Sequence, residues 1–402
     1  QGSERPISTT MAFVRLLNIL IKQPDLGDRV VPIVPDEART FGMEGMFRQL
    51  GIWSHVGQKY TPEDASQLMY YKEAVNGQIF QEGINEPGAM STWIAAATSY
   101  ANHGVPMIPF YIYYSMFGFQ RTGDLAWAAG DMRARGFIIG GTAGRTTLNG
   151  EGLQHEDGHS QVQADLIPNC ESYDPTFAYE LAVILQHGMH EMYVEHKDKY
   201  YYITVMNENY THPAMPVGIE QDIINGCYLF KSVGNGNISV NLIGSGSILR
   251  EVIGAADLLS QDFGLKVNVF SATSFNKLHR EGMAINRHNM LNPLAPQAKT
   301  FIAQKLEQTD ALVTVAATDY IRNFADKIRE FVPGKYITLG TDGFGRSDYR
   351  QALREFFEVN RYYVAVAALK GLADQGLIEA NVVADAIIKY GINTNKANPW
   401  EV

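Results

Sequence analysis

Residues 78–101 read QIFQEGINEPGAMSTWIAAATSYA, a stretch that decides the fold. The run QIFQEGI (78–84) is apolar and β-prone, and it passes through Glu86 and Pro87 into an alanine-rich helical pattern expected over 90–101. Strand, tight turn and helix in that order make one βα unit. The unit recurs on both sides. RVVPIV (29–34), PMIPFYIY (106–113), GFIIG (136–140) and YYITVM (201–206) read as strands, with helices expected over 9–21, 124–135 and about 176–193. Such repetition predicts an α/β domain with a mainly parallel β-sheet flanked by helices.

Residues 207–226, NENYTHPAMPVGIEQDIING, hold two prolines and two glycines among few periodic apolar positions, and read as a linker. Beyond them the rhythm resumes, with strands expected near 238–243, 266–271, 311–316 and 336–339 and helices near 247–261, 321–331, 346–357 and 380–390. The expected organisation is two α/β domains, 1–213 and 214–402. A length of 402 residues suits that number, since domains average about 150 residues.

Composition excludes several classes. The 33 Lys+Arg stand against 43 Asp+Glu, giving a net charge of -10 with no basic block, so nucleic acid is not an expected partner. No stretch approaches the roughly 18 uninterrupted apolar residues of a membrane span. Cys170 and Cys227 each lack a neighbouring cysteine, which rules out a zinc ribbon and a disulfide framework and suits a cytoplasmic location. The chain opens on Gln1 without a signal-peptide pattern and reads as a fragment, a processed product or a separate subunit.

Four polar or aromatic clusters lie at predicted strand carboxyl ends, where open α/β sheets bind ligands. Glu86 is either a helix-start acid favoured by the helix dipole or a carboxyl group in apolar surroundings that shares a proton with a ring nitrogen of a bound heterocycle. The run from Tyr113 to Phe119, YYSMFGF, is either core or a flat face for a planar ring. The loop GGTAGRTTLNGEGLQHEDGHS (140–160) carries His155 and His159; its glycines argue against a helical zinc pair, no metal ligand is expected, and proton transfer by one imidazole is favoured. Asp36 and Glu37 are either a cap with a first-turn acid or part of a polar network. Gly244-Ser245-Gly246 and Gly343-Phe344-Gly345 read as turns, because neither completes a nucleotide-binding pattern.

Taken together, VPDEARTFGMEGMFRQLGI, QEGINEPGAMSTWIAAATSYA, PFYIYYSMFGFQRTGDLAWAAGDMRARGF and GRTTLNGEGLQHEDGHS resemble the homodimeric bacterial pyruvate dehydrogenase decarboxylating component. The likeness continues through YYITVMNENYTHPAMP, LIGSGSILREV and LGTDGFGRSDYRQALREFFEV to KANPW, and so covers essentially the whole chain. The resemblance implies a thiamin diphosphate enzyme of the transketolase-like fold, with 1–213 as pyrimidine-binding domain and 214–402 as carboxyl-terminal domain. It makes Glu86 the acid that protonates the pyrimidine ring, turning the exocyclic amino group into the base that deprotonates the thiazolium carbon. It further implies that Phe117 stacks on the pyrimidine, Ile84 props the bent cofactor, Tyr114 lies near the reacting centre, and His155 handles substrate protons. Asp36 and Glu37 match active-site acids, and residues 56–72 a mobile loop over the site. Pro87 after the key glutamate departs from the family pattern and suits a first helical position.

The family's Gly-Asp-Gly start and downstream Asn, which hold Mg²⁺ and the diphosphate, match nothing in these residues. The chain is therefore expected to be half a site and inactive alone. The reaction implied for the parent enzyme is oxidative decarboxylation of pyruvate with reductive acetylation of the lipoyl domain of a dihydrolipoyl acetyltransferase, by a homodimer. The alternatives are another 2-oxo acid dehydrogenase, a transketolase-like carboligase, or a non-catalytic half that dimerises or docks.

Overall fold

The computed structural model describes residues 2–36 and 38–402. The chain forms two compact units. The first gathers the residues up to Ala143 with Gln163–Ser172 and Leu181–Ala214; the second gathers Gly144–Val162, Tyr173–Glu180 and Met215–Val402.

The first unit is built on a six-stranded sheet in the order Phe80–Gln81, Val30–Val34, Ile108–Tyr114, Phe137–Gly141, Tyr200–Thr204, Cys170–Tyr173. Parallel pairing sets Val34 beside Gln81, Ile33 beside Tyr111, Ile112 beside Ile139, and Ile139 beside Ile203. Every residue of Val30–Val34 is buried, as expected of a strand covered on both faces. The order reverses beside this strand, because the second strand in sequence pairs on one side of it and the third on the other.

The helix Glu86–Ala97 begins where Asn85 accepts a hydrogen bond from the Gly88 amide at 3.1 Å, with Pro87 in the first turn, where a missing N–H costs nothing. It buries Ala89, Met90, Trp93 and Ala97. Trp93 Nε1 donates to the Phe137 carbonyl at 3.0 Å, and its indole meets Tyr200 edge-on with centroids 5.4 Å apart. The core is rich in tyrosine, and two of its hydroxyls find carbonyl partners: Tyr200 donates to the Ala126 carbonyl at 3.0 Å and Tyr111 to the Glu86 carbonyl at 3.3 Å. Gly118 makes room for this packing, since a Cβ there would stand 2.0 Å from the Tyr113 ring.

The strand expected over 78–84 is confined to Phe80–Gln81. It lies at the sheet edge with one partner strand, and Gly83 at φ +74° turns the chain out of the sheet. Residues 207–226, read as a linker, contain the passage from the first unit to the second between Ala214 and Met215, but they also hold regular elements. Tyr210–His212 pairs antiparallel with Ser3–Ile7, His212 Nε2 lying 3.0 Å from the Ile7 carbonyl, and Glu220–Asn225 is a helix ended by Gly226 in the left-handed conformation. The prolines and glycines there punctuate short elements.

In the second unit the sheet order is Cys227–Val233, Lys266–Ala272, Ser239–Gly244, Val313–Ala317, Lys335–Leu339. Only the first strand is antiparallel to its neighbour; the other pairs are parallel. Two long helices escape the periodicity reading, Phe275–Leu291 and Arg361–Asp374. Both open on side-chain caps: Ser274 accepts from the Lys277 amide at 2.9 Å, and Asn360 from the amides of Tyr362 and Tyr363. The helix expected over 321–331 is reduced to Asn323–Asp326 and a 3-10 turn at Arg329–Phe331, and the one expected over 346–357 starts at Arg350.

The Gly244-Ser245-Gly246 turn is engaged by the chain itself. The Gly246 amide donates to the Asp174 carbonyl at 3.2 Å, Ser245 Oγ to Asp174 Oδ2 at 2.8 Å, and Thr176 Oγ1 to the Gly246 carbonyl at 2.8 Å. The segment Tyr173–Glu180 thus takes up the Gly246 amide, the kind of backbone donor that a Rossmann turn offers to a pyrophosphate. Cys170 and Cys227 are buried and form no disulfide. Among the described residues no helix is long and apolar enough to cross a membrane.

Candidate active site

The reversal of strand order beside Val30–Val34 brings several chemically active side chains to one rim of the first unit. Asp36 follows Val30–Val34, Glu86 follows Phe80–Gln81, and Tyr114 and Phe117 follow the body of Ile108–Tyr114. Such a reversal is where open α/β sheets form their ligand crevice.

Glu86 is 6 % exposed although it opens a helix. Its surroundings are not purely apolar: Arg121 Nη1 lies 2.6 Å from Glu86 Oε1. The same guanidinium covers the Phe117 ring, its central carbon 4.2 Å from the centroid. Phe117 meets Tyr114 edge-on at 6.1 Å, and Tyr114 packs against Phe41 at 5.6 Å. Between them the Ser115 hydroxyl is buried and has no hydrogen-bond partner among the described residues. Asp36 is exposed and accepts from Gln81 Nε2 at 3.1 Å, while Ile84 is 72 % exposed. Glu37 lies outside the described residues.

Arg121 is absent from the residues selected by sequence. A signal existed, for Arg121 falls one helical turn after Phe117 on the helix Gly118–Asp131 and shares a face with it. Its pairing with Glu86, 35 positions away, has no local signature. Arg121→Gln is expected to destabilise the first unit by about 1–3 kcal/mol, because it strands a buried carboxylate, with the half-exposed position of Arg121 keeping the loss below that of a fully buried pair. Urea unfolding checks this; an unchanged midpoint would mean that water reaches the Glu86 carboxylate freely.

His155 belongs to the second unit. It closes the 3-10 turn Leu153–His155, with Nδ1 3.3 Å from the Gly152 carbonyl. His155 and His159 do not lie on one helix, since Asp157 interrupts by accepting from the amides of His159 and Ser160 at 2.9 Å. Among the described residues no group of three or more His, Cys, Asp or Glu side chains is placed to hold a metal ion.

The loop bearing His155 is rooted on the second unit's sheet. Asp319, just past Val313–Ala317, accepts from the Thr146 amide at 2.9 Å and from the hydroxyls of Thr146 and Thr147 at 2.7 and 2.5 Å. Burial pushes its carboxyl up, opposed by Arg354 and by these donors. Glu156, next to His155, is fully buried, and that burial pushes its carboxyl up to about 8 against the opposing pull of the Arg346 amide. The sequence sets Glu151, Glu156 and Asp157 beside the two imidazoles but carries no sign of Asp319 as the anchor of the loop.

Comparison with known proteins places the chain. Residues 1–213 match the pyruvate dehydrogenase E1 component middle domain, and residues 226–360 the transketolase-like TK C-terminal domain. The chain is 62 % identical over 403 residues to the pyruvate dehydrogenase E1 component of Cupriavidus necator, covering 100 % of this chain and 45 % of that protein. It is 61 % identical over 402 residues to the one from Pseudomonas aeruginosa, covering 100 % of this chain and 46 % of that protein. The chain thus spans a little under half the length of these relatives. The transketolase of Campylobacter jejuni superposes with a TM-score of 0.67 at 17 % identity, over 91 % of this chain and 47 % of that one, and shares its fold. The fold is transketolase-like, and the chain belongs to the pyruvate dehydrogenase E1 component family.

Proposed function

We infer that this chain is the pyrimidine-binding and carboxyl-terminal portion, 1–213 and 214–402, of a thiamin diphosphate-dependent pyruvate dehydrogenase. The observation that carries the reading is Glu86: a buried carboxylate at the switch point of a parallel sheet, bridged to an aromatic ring by one half-exposed guanidinium. The residues fit an aminopyrimidine. Glu86 can hold a proton on a ring nitrogen, Phe117, which already stacks under the Arg121 guanidinium, is read as the ring against the pyrimidine, and the buried Ser115 hydroxyl has a donor unspent among the described residues. Ile84 supports the cofactor from its exposed position, Tyr114 lines the reacting end, and Asp36 and Glu37 join the polar network. When bound, the cofactor supplies an electron sink for the pair released as carbon dioxide leaves. His155 moves a proton to or from the substrate.

We assign Mg²⁺ and the diphosphate to another part of a longer protein, because a chain of net charge -10 is a poor host for a polyanion and spans under half the length of its relatives. The working enzyme is read as a cytoplasmic homodimer that passes the acetyl group to the lipoyl domain of a dihydrolipoyl acetyltransferase. The test is to assay the full-length protein with thiamin diphosphate and Mg²⁺ for pyruvate-dependent dye reduction, acetylation of a free lipoyl domain, and turnover of a ketose phosphate. Pyruvate activity with lipoyl acetylation is expected; turnover of the ketose phosphate alone would establish a carboligase instead. The 402-residue chain by itself should be inactive and bind the cofactor only at about millimolar concentration, the affinity of a few kcal/mol of stacking and hydrogen bonding after ordering costs.

A further inference from the structure

Gly343-Phe344-Gly345-Arg346 is a motif that the proposed reaction leaves without a purpose. Sequence reads it as a turn, yet its glycines sit where the backbone has no spare room. A Cβ on Gly345 would stand 2.3 Å from the Leu153 carbonyl oxygen and 3.0 Å from Glu156 Cβ. Leu153 opens the 3-10 turn that ends at His155, so the absent side chain is what admits that turn. Gly343 takes φ +108°, and a Cβ there would lie 2.5 Å from the Pro399 carbonyl oxygen.

The contacts around this approach are directional. The Arg346 amide donates to Glu156 Oε2 at 2.8 Å. Arg145 donates to the Thr341 carbonyl at 2.6 Å and to the Gly343 carbonyl, joining the root of the histidine loop to the start of the glycine turn. Beyond the turn, Ser347 Oγ donates to the Glu151 carbonyl, and the Gly150 amide donates to the Asp348 carbonyl at 3.3 Å. The far side of the loop is held where the Ile321 amide donates to the Gly158 carbonyl at 2.7 Å.

We propose that the Gly343–Arg346 turn is a clasp that positions His155: it grips the 150–158 loop through Glu156 and so fixes where the imidazole stands. The proposal rests on the reading of His155 as a proton carrier. Glu156 is a positioning residue, acting through its neighbour in the chain. One of its oxygens is held by the Arg346 amide, and Oε1 is buried with no hydrogen-bond partner among the described residues, an arrangement suited to a neutral carboxyl group. The charged groups that face it are Arg145 and Asp319; Asp157 is held separately by Ser160 and the amides of His159 and Ser160.

The clasp therefore has a pH signature. In the closed loop Glu156 keeps its proton up to about 8, whereas in an opened loop it would lose it in the ordinary carboxylate range. The opened form then binds fewer protons between these limits, so closure weakens as pH rises through that window, by at most tenfold per pH unit, and levels off above it.

The test uses the full-length protein. Hydrogen exchange of peptides covering 150–158 should show protection in the wild type falling by up to about 100-fold between pH 5.5 and 7.5, after correction for intrinsic exchange. Glu156→Gln, which keeps an oxygen to accept from Arg346, should flatten that slope. Glu156→Ala and Gly345→Ala should lower protection at both pH values and cut kcat by roughly 10-fold to 100-fold at unchanged cofactor affinity, as displacement of a reacting group does. Glu156→Gln should restore most of the turnover that Glu156→Ala loses. Unchanged protection in both alanine variants would overturn the clasp, as would loosened protection with full kcat when His155→Ala is itself impaired. If His155→Ala keeps full activity, the reading of His155 fails instead, a result separate from the exchange data.

Discussion

Glu86→Gln is expected to lower turnover of the full-length protein by about 10²-fold to 10⁴-fold, the usual worth of a positioned acid or base. Glutamine has the shape of glutamate and can still hydrogen-bond, but it cannot deliver a proton to a ring nitrogen. The fold should be nearly unaffected, because the substitution removes a buried charge while Arg121, 45 % exposed, regains water. The measurement is pyruvate-dependent dye reduction at saturating cofactor, with unfolding midpoints in parallel. Near-wild-type turnover would remove Glu86 from the chemistry and return it to the role of a helix-start acid. Loss of both activity and stability would mean that the Glu86–Arg121 pair serves the fold first.

The second large effect falls on stability. Trp93→Ala should cost about 3–5 kcal/mol, because it empties the space of a fully buried indole and deletes the Nε1 bond to the Phe137 carbonyl. Tyr200 and the helix Glu86–Ala97 would lose a shared contact, so the damage reaches the helix that presents Glu86. The protein reports on this residue conveniently. Of its four tryptophans, Trp53, Trp127 and Trp400 are each at least 45 % exposed and Trp93 is buried. Trp93 should supply the blue-shifted part of the emission, and urea titration followed at that wavelength reads the first unit. A midpoint shift below that of a conservative Trp93→Phe change would show that the site collapses around the cavity.

Much of this molecule is legible along the chain. The strands Val30–Val34, Ile108–Tyr114 and Phe137–Gly141 lie within a residue or two of their predicted positions, because burial on both faces demands contiguous apolar, β-branched and aromatic residues. The long motifs around Glu86, Phe117 and His155 carry the family resemblance by themselves. Helices Phe275–Leu291 and Arg361–Asp374 are less legible. The first is largely polar and buries only Phe275, Asn276, Leu278 and Gly282, so its pattern is faint and its caps are the better signal.

The features readable along the chain are local: which runs form strands, where an acid follows a strand, and which segments are too polar and glycine-rich to be core. Tertiary structure alone decided the partnerships. Arg121 reaches Glu86 across 35 positions and Arg346 reaches Glu156 across 190, distances over which no periodicity or cap extends. It also decided that residues 144–162, contiguous in sequence with the first unit, pack with the second. Secondary structure follows from interactions between residues a few positions apart, whereas these pairs exist only after the crossovers of two mainly parallel sheets bring distant strand ends together. A buried carboxyl group such as Glu156 acquires its altered proton affinity in that last step, from burial that no stretch of sequence contains.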